Sequence, residues 1–136
     1  MTDITTNDLQ TLSCLVVEDN PFTSIDICKQ LTLLGIKQIT AASNGQEGLT
    51  KIDTMESPPG VILLDLRMPV MGGTEMLSRL SDRKYDGAVI FVSGVDGDTL
   101  SAVEDLARES NVRLIGSLPK PPDKNMLFSL LLKCVD

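Results

Sequence analysis

Val61-Ile62-Leu63-Leu64-Asp65, running on into Leu66-Arg67-Met68-Pro69-Val70-Met71-Gly72-Gly73, is the stretch on which the fold turns. Its apolar run is short, is preceded by the breaker Ser57-Pro58-Pro59-Gly60, and stops at an acid. Runs of this kind, bounded by turn residues and separated by helix-like stretches, read as strands buried on both faces of a parallel sheet. Three further runs follow the same plan. Cys14-Leu15-Val16-Val17 ends in Glu18-Asp19, Val89-Ile90-Phe91-Val92 ends in Ser93, and Val112-Arg113-Leu114-Ile115 leads to Lys120 between two prolines.

Working outward, strand one spans about Ser13–Val17 and a helix starts near Pro21, a residue suited to a first turn. Ile25, Cys28, Leu31 and Leu34 recur every three residues as its expected apolar stripe, and Gly35 ends it. A short strand is expected at Gln38–Ala42. Asn44-Gly45 then opens a helix to about Glu56. The third helix is expected from about Thr74 to Leu80 and strand four from about Ala88 to Val92. A fourth helix, capped by Asp98 or Thr99, should bury Leu100, Val103, Leu106 and Ala107. After strand five, Asp123 caps a last helix from about Lys124 to Val135. Strands alternating with helices across short connections imply an α/β doubly wound domain over 12–136, with 1–11 a flexible N-terminal tail.

The chain has 136 residues, enough for one domain and one ordinary core. Apolar residues make up 42%, which excludes disorder of the whole chain, and aromatics only 3%, so Leu, Ile, Val and Met must build the core. A net charge of −7 argues against direct contact with nucleic acid or an anionic membrane. No run approaches the roughly 20 apolar residues of a membrane span, and the acidic N-terminus lacks signal-peptide features, so a cytoplasmic location is expected. The odd count of three distant cysteines reads as free thiols. With no histidine, an imidazole base or ligand from this chain is excluded.

In an open parallel sheet, sites form at the carboxyl ends of the strands. Three carboxylates, a hydroxyl and an ammonium are therefore expected to converge on one edge. Such a set can hold a divalent cation and carry a phosphoryl group on an aspartate.

Val16-Val17-Glu18-Asp19-Asn20, Leu64-Asp65-Leu66-Arg67-Met68-Pro69 with Gly72-Gly73, Val92-Ser93-Gly94 and Lys120-Pro121 resemble, in this order, the motifs of bacterial two-component response regulator receiver domains. The resemblance covers about residues 12–135. It implies a flavodoxin-like fold, a five-stranded parallel sheet of order 2-1-3-4-5 with five helices. It further implies Asp65 as phosphoacceptor, forming an acyl phosphate. Glu18 and Asp19 would hold Mg²⁺ together with Asp65 and the backbone carbonyl of Arg67, a donor set of oxygens that suits this ion. Lys120 and Ser93 would each bind a phosphoryl oxygen. Gly94 and Val95 belong to the loop expected to move, and Arg67 and Val95 would tune autodephosphorylation. The Lys120–Pro121 bond is cis in many such domains.

One position departs from the family pattern. Receivers generally carry an aromatic three residues before the lysine, where this chain has Ser117. That puts the usual hydroxyl-plus-aromatic switch in doubt and shifts attention to the loop Ser93–Asp98. Leu114 to Pro121 is also similar to the equivalent stretch of receivers joined to EAL-type cyclic-di-GMP phosphodiesterases. The expected partners are a histidine kinase or phosphotransfer protein and an output domain, the EAL-type enzyme being one guess. Eight of the ten residues Met126–Val135 are apolar, more than one buried face requires. A homodimer or output contact through this helix and a wide core contact both remain open.

No separate substrate turnover is expected beyond Mg²⁺-dependent self-phosphorylation and autodephosphorylation. A degenerate receiver, never phosphorylated and acting as a binding module, is the alternative; none of the acids, nor Ser93 or Lys120, is missing. An aspartyl phosphatase would commonly carry a second acid where Arg67 stands. A flavodoxin would need a phosphate-binding loop after strand one, which is not evident.

Overall fold

A computed structural model describes residues 9–68 and 70–135; the motif's Pro69, residues 1–8 and residue 136 lie outside the described residues. Five parallel strands run β1 (Ser13–Val17), β2 (Gln38–Ala42), β3 (Val61–Asp65), β4 (Ala88–Ser93) and β5 (Arg113–Pro119), in the spatial order β2-β1-β3-β4-β5. Between and after them come α1 (Pro21–Leu33), α2 (Gly45–Thr54), α3 (Gly73–Asp82), α4 (Gly97–Glu109) and α5 (Lys124–Cys134). This is the doubly wound α/β domain expected from the strand runs, in the flavodoxin-like order that the resemblance implies.

The central strands are apolar throughout because both faces are covered. Alternate residues divide them between two cores. Cys14, Val16, Val61, Leu63, Ile90 and Val92 pack with Ile27 and Leu31 of α1 and Leu127 and Leu131 of α5. Leu15, Val17, Ile62, Leu64, Val89 and Phe91 pack with Leu49 of α2, Met76, Leu77 and Leu80 of α3 and Ala107 of α4. Each such side chain, fully buried, contributes roughly 1.5–3 kcal/mol of transfer free energy. Of the expected tail, Leu9 is fully buried in the first core, so packing begins before residue 12.

Four local expectations are corrected. The buried positions of α1 are Ile27 and Leu31, whereas Ile25 is 54% exposed. A spacing of three turns the helix face by about 60° at each step, so a stripe from residue 25 to 34 sweeps half-way round the cylinder. The cap of α4 is Asp96, whose Oδ1 accepts from Thr99 N at 2.8 Å, not Asp98 or Thr99. Only Ala107 of the four expected residues on α4 is fully buried; Leu100 and Val103 are half-buried and Leu106 is exposed. Finally, β5 runs on past Ile115 to Pro119, with a register shift opposite Val89 and Ile90 that carries Ser117 into the strand.

In α5, Leu127 and Leu131 are buried and Phe128, Leu130, Leu132, Cys134 and Val135 pack half-buried on the first core; Met126, 45% exposed, is the large side chain left to solvent. Much of the helix's excess apolarity is thus absorbed within the domain. The three cysteines are free thiols, as expected.

The turn from β3 into α3 is tight. A Cβ on Gly73 would lie 2.8 Å from Leu66 Cα and 3.0 Å from Asp65 O. Since that backbone carries Asp65, relief of the clash must displace the strand end. Gly73→Ala should therefore cost about 1–3 kcal/mol of stability in denaturant titration; a variant as stable as wild type would show that the turn gives way freely.

Candidate functional site

The sheet register places the reactive groups. Val17 pairs Leu64, Asp65 pairs Val92 and Ser93 pairs Pro119, so the four strands end level with one another. Glu18 follows β1, Asp65 closes β3, Ser93 closes β4 and Lys120 follows β5. Glu18 and Asp65 are each 2% exposed and Ser93 is 7% exposed, whereas Asp19 stands in solvent at the rim.

One ligand oxygen from each of Glu18, Asp19 and Asp65 lies within 4.8 Å of the others. The Lys120 ammonium reaches two of these residues, at 2.7 Å from Glu18 Oε1 and 3.1 Å from Asp65 Oδ2. Backbone amides orient the remaining oxygens. Asn20 N donates to Glu18 Oε2 at 3.0 Å, and Arg67 N donates to Asp65 Oδ1 at 3.1 Å. Asn20 itself caps α1 through its side chain, which ties the acid pair to the helix start.

Burial is the largest influence on Glu18 and pushes its carboxyl up to about 7; Lys120 and the Asn20 amide oppose this, and the Asp65 carboxylate adds to it. Burial works against the charged Lys120 as well, but Glu18 and Asp65 outweigh it and raise its pKa. Glu18 Oε1 is buried and, despite the nearby ammonium, accepts no hydrogen bond of good geometry. A buried oxygen so placed, beside two more carboxylates, is short of positive charge. Hard oxygen donors with this deficit fit Mg²⁺, which is bound through few carboxylates and retains water.

The remaining expected residues are distributed around this centre. Ser93 Oγ accepts from Val95 N at 3.1 Å, which folds the loop over the end of β4. Gly94 is exposed, and Val95 is half-buried against the second core. Arg67 is exposed beyond Asp65. The Lys120–Pro121 bond is cis, in line with the resemblance. Ser117 does not join the cluster: its Oγ donates to Glu104 Oε2 of α4 at 2.8 Å. Glu104 carried no motif signal, because a contact 13 residues away between helix and strand has no local spacing to betray it.

Comparison with known proteins bears on the family and the fold. Residues 14–131 match the family model of the response regulator receiver domain. The chain is 32% identical over 124 residues to the positive alginate biosynthesis regulatory protein of Pseudomonas aeruginosa, covering 90% of this chain and 46% of that protein. It is 39% identical over 97 residues to an uncharacterised response regulatory protein of Vibrio cholerae, covering 71% of this chain and 40% of that one. The chain thus spans less than half the length of these bacterial relatives. Among solved structures, the N-terminal domain of an uncharacterised protein of Wolinella succinogenes superposes with a TM-score of 0.74 at 29% identity, over 90% of this chain and 91% of that one. The CheX–CheY–BeF₃–Mg²⁺ complex of Borrelia burgdorferi gives a TM-score of 0.78 at 22% identity, over 90% and 87%, a likeness of fold. No helix among the described residues is long and apolar enough to cross a membrane.

The raised Glu18 pKa has a defined sign. The folded protein holds this proton more tightly than the unfolded chain, so the associated stability is full below the ordinary value of 4.5 and is lost as pH rises through about 7. Glu18→Gln should flatten this dependence and make the metal-free protein more stable at pH above 7, while removing stabilisation by added Mg²⁺. Denaturant titrations across pH, with Mg²⁺ and with chelator, check both effects; a Glu18→Gln variant still stabilised by Mg²⁺ would remove Glu18 from the metal site.

Proposed function

Because the chain belongs to the response regulator receiver domain family, we propose that it receives a phosphoryl group on Asp65 from a histidine kinase or phosphotransfer protein and relays the change to another surface. The observation that carries this reading is the Lys120 ammonium held between the buried carboxylates of Glu18 and Asp65. A nucleophilic carboxylate sits next to the cation that can neutralise the incoming group, at the carboxyl edge of the sheet.

Asp65 Oδ1 is oriented by the Arg67 amide, and Oδ2 faces Lys120. A carboxylate oxygen forms the new O–P bond as the donor's P–N bond breaks, and the imidazole of the donor leaves with the electron pair and takes a proton. Lys120 then turns from carboxylate to phosphoryl oxygen, conserving a charge-assisted contact. Ser93 lies at the adjacent strand end and supplies a hydroxyl to another oxygen. Glu18, Asp19 and Asp65, with the Arg67 carbonyl that the family resemblance adds, would hold Mg²⁺, which would supply further positive charge against the phosphoryl oxygens. Hydrolysis restores the carboxylate when water attacks phosphorus and phosphate departs, with Arg67 and Val95 flanking the approach.

Ser93 Oγ accepts from Val95 N, and its hydroxyl proton is free to donate to a phosphoryl oxygen, so one side chain would link the phosphoryl group to the Ser93–Asp98 loop. A shift of Ser93 toward the phosphoryl group would draw that loop with it, and α4 begins within the loop at Gly97. Loop and helix form the two-state element of the switch. An output domain or partner meeting this face belongs to the same proposal; an EAL-type phosphodiesterase is one candidate.

The decisive experiment is beryllofluoride binding with Mg²⁺, followed by amide NMR, beside phosphorylation by a small acyl phosphate read by intact mass. Wild type should shift around Ser93–Thr99 and Lys120 and gain one phosphoryl group; Asp65→Asn should do neither. Lys120→Met should slow phosphorylation on the order of a hundredfold. A wild-type chain silent to both reagents in Mg²⁺ would favour a binding module over a phosphoacceptor.

A further inference from the structure

The lysine at the centre of the site sits on a loop that can hardly hold itself in place. Of Pro119, Lys120, Pro121 and Pro122, only Lys120 has an amide N–H. Its near end is fixed by the pairing of Pro119 with Ser93 in the sheet. Its far end is fixed by Asp123, whose side chain caps α5 by accepting from Asn125 N at 2.7 Å and Met126 N at 3.1 Å. Between these ends the loop offers carbonyl oxygens, and an anchor must come from a donor elsewhere.

Gln30 of α1 supplies one. Its Nε2 donates to Pro122 O at 3.1 Å and to Asp26 Oδ2 at 3.2 Å. Two acceptors on one nitrogen fix the orientation of the amide, because the flipped form would face both with an oxygen. The consequence is unfavourable for folding: Gln30 Oε1 is buried without a hydrogen-bond partner. A buried acceptor left unmade costs about 1–3 kcal/mol. A methionine would fill the same space without that penalty. An amide retained at such a place points away from stability and toward the position of the loop it holds.

We propose that Gln30 is a positioning residue for phosphoryl transfer: by tying Pro122 to α1 it holds Lys120 against Glu18 and Asp65. Asp26 is its counterpart, keeping the amide turned toward the loop. The effect on chemistry rests on the phosphoacceptor reading of Asp65, whereas the effect on Lys120 does not.

Three measurements on Gln30→Met test this in the full chain. The side-chain methylene resonance of Lys120, assigned with Lys120→Arg, should move without any ligand present. Beryllofluoride affinity in Mg²⁺ should fall roughly tenfold while Mg²⁺ affinity is unchanged, since misplacing a catalytic group by a fraction of an ångström is costly. Folding stability should be equal or higher. Gln30→Glu, which offers no donor and sets a carboxylate against two acceptors, should lose at least as much beryllofluoride affinity. A Gln30→Met variant with an unmoved Lys120 resonance and wild-type affinities would overturn the proposal, as would a loss of affinity matched by an equal loss for Mg²⁺. A moved Lys120 resonance in a chain whose wild type does not bind beryllofluoride would uphold the anchor and sink the phosphoacceptor reading instead.

Discussion

Two carboxylates buried side by side is the constraint that shapes this molecule. Glu18 and Asp65 are almost wholly removed from water, and both burial and the neighbouring carboxylate work against the charge on Glu18. One ammonium answers both acids, and it comes from the far side of the sheet, two strands away from β3. Strand order, the level ends of β3, β4 and β5, and the prolines after β5 all serve that meeting. A buried triad of this kind is weak evidence for stability, since apolar residues of the same volume often do as well. Its arrangement makes better sense as a centre prepared for more charge, of both signs.

The two-layered core explains why such a centre is tolerated. Apolar side chains alternate to opposite faces along every central strand, and the apolar runs stop at Val17 in β1, Leu64 in β3 and Val92 in β4, where the polar groups begin. Polar groups then appear together at one edge, where backbone amides of the departing loops are available to orient them. Rigidity of the sheet passes directly to the site, because Glu18, Asp65, Ser93 and Lys120 are each the last residue of a strand or the first beyond it.

Much of this was legible in the amino-acid sequence for a physical reason. Strands buried on both faces are written as unbroken apolar runs, and in a parallel sheet the run's end is also the site, so the same residues report fold and chemistry. Helices are written less plainly. In α1 the periodic apolar positions and the buried ones differ, because Ile25 fits a spacing of three but not the turn of the helix. The expected cap of α4 is Asp98 or Thr99 and the observed one is Asp96; all three residue types can cap, and the loop geometry chooses between them. Glu104 and Gln30 left no mark in the sequence at all. Each acts through one hydrogen bond to a distant element, and polar side chains of that kind are usually solvated surface.

The contact between Ser117 and Glu104 bears on how a docked protein would perceive this domain. Where related chains place a ring at this position, the α4–β5 face here presents a hydroxyl bound to a carboxylate. A ring is sensed at contact range, its attraction for cations being confined to about 6 Å from the ring centroid. A carboxylate is felt across roughly 8–10 Å at physiological ionic strength and fades as salt is added. Under the proposed switch, a movement of this face would alter an electric field as well as a shape, an effect a basic partner would feel before contact and salt would mute.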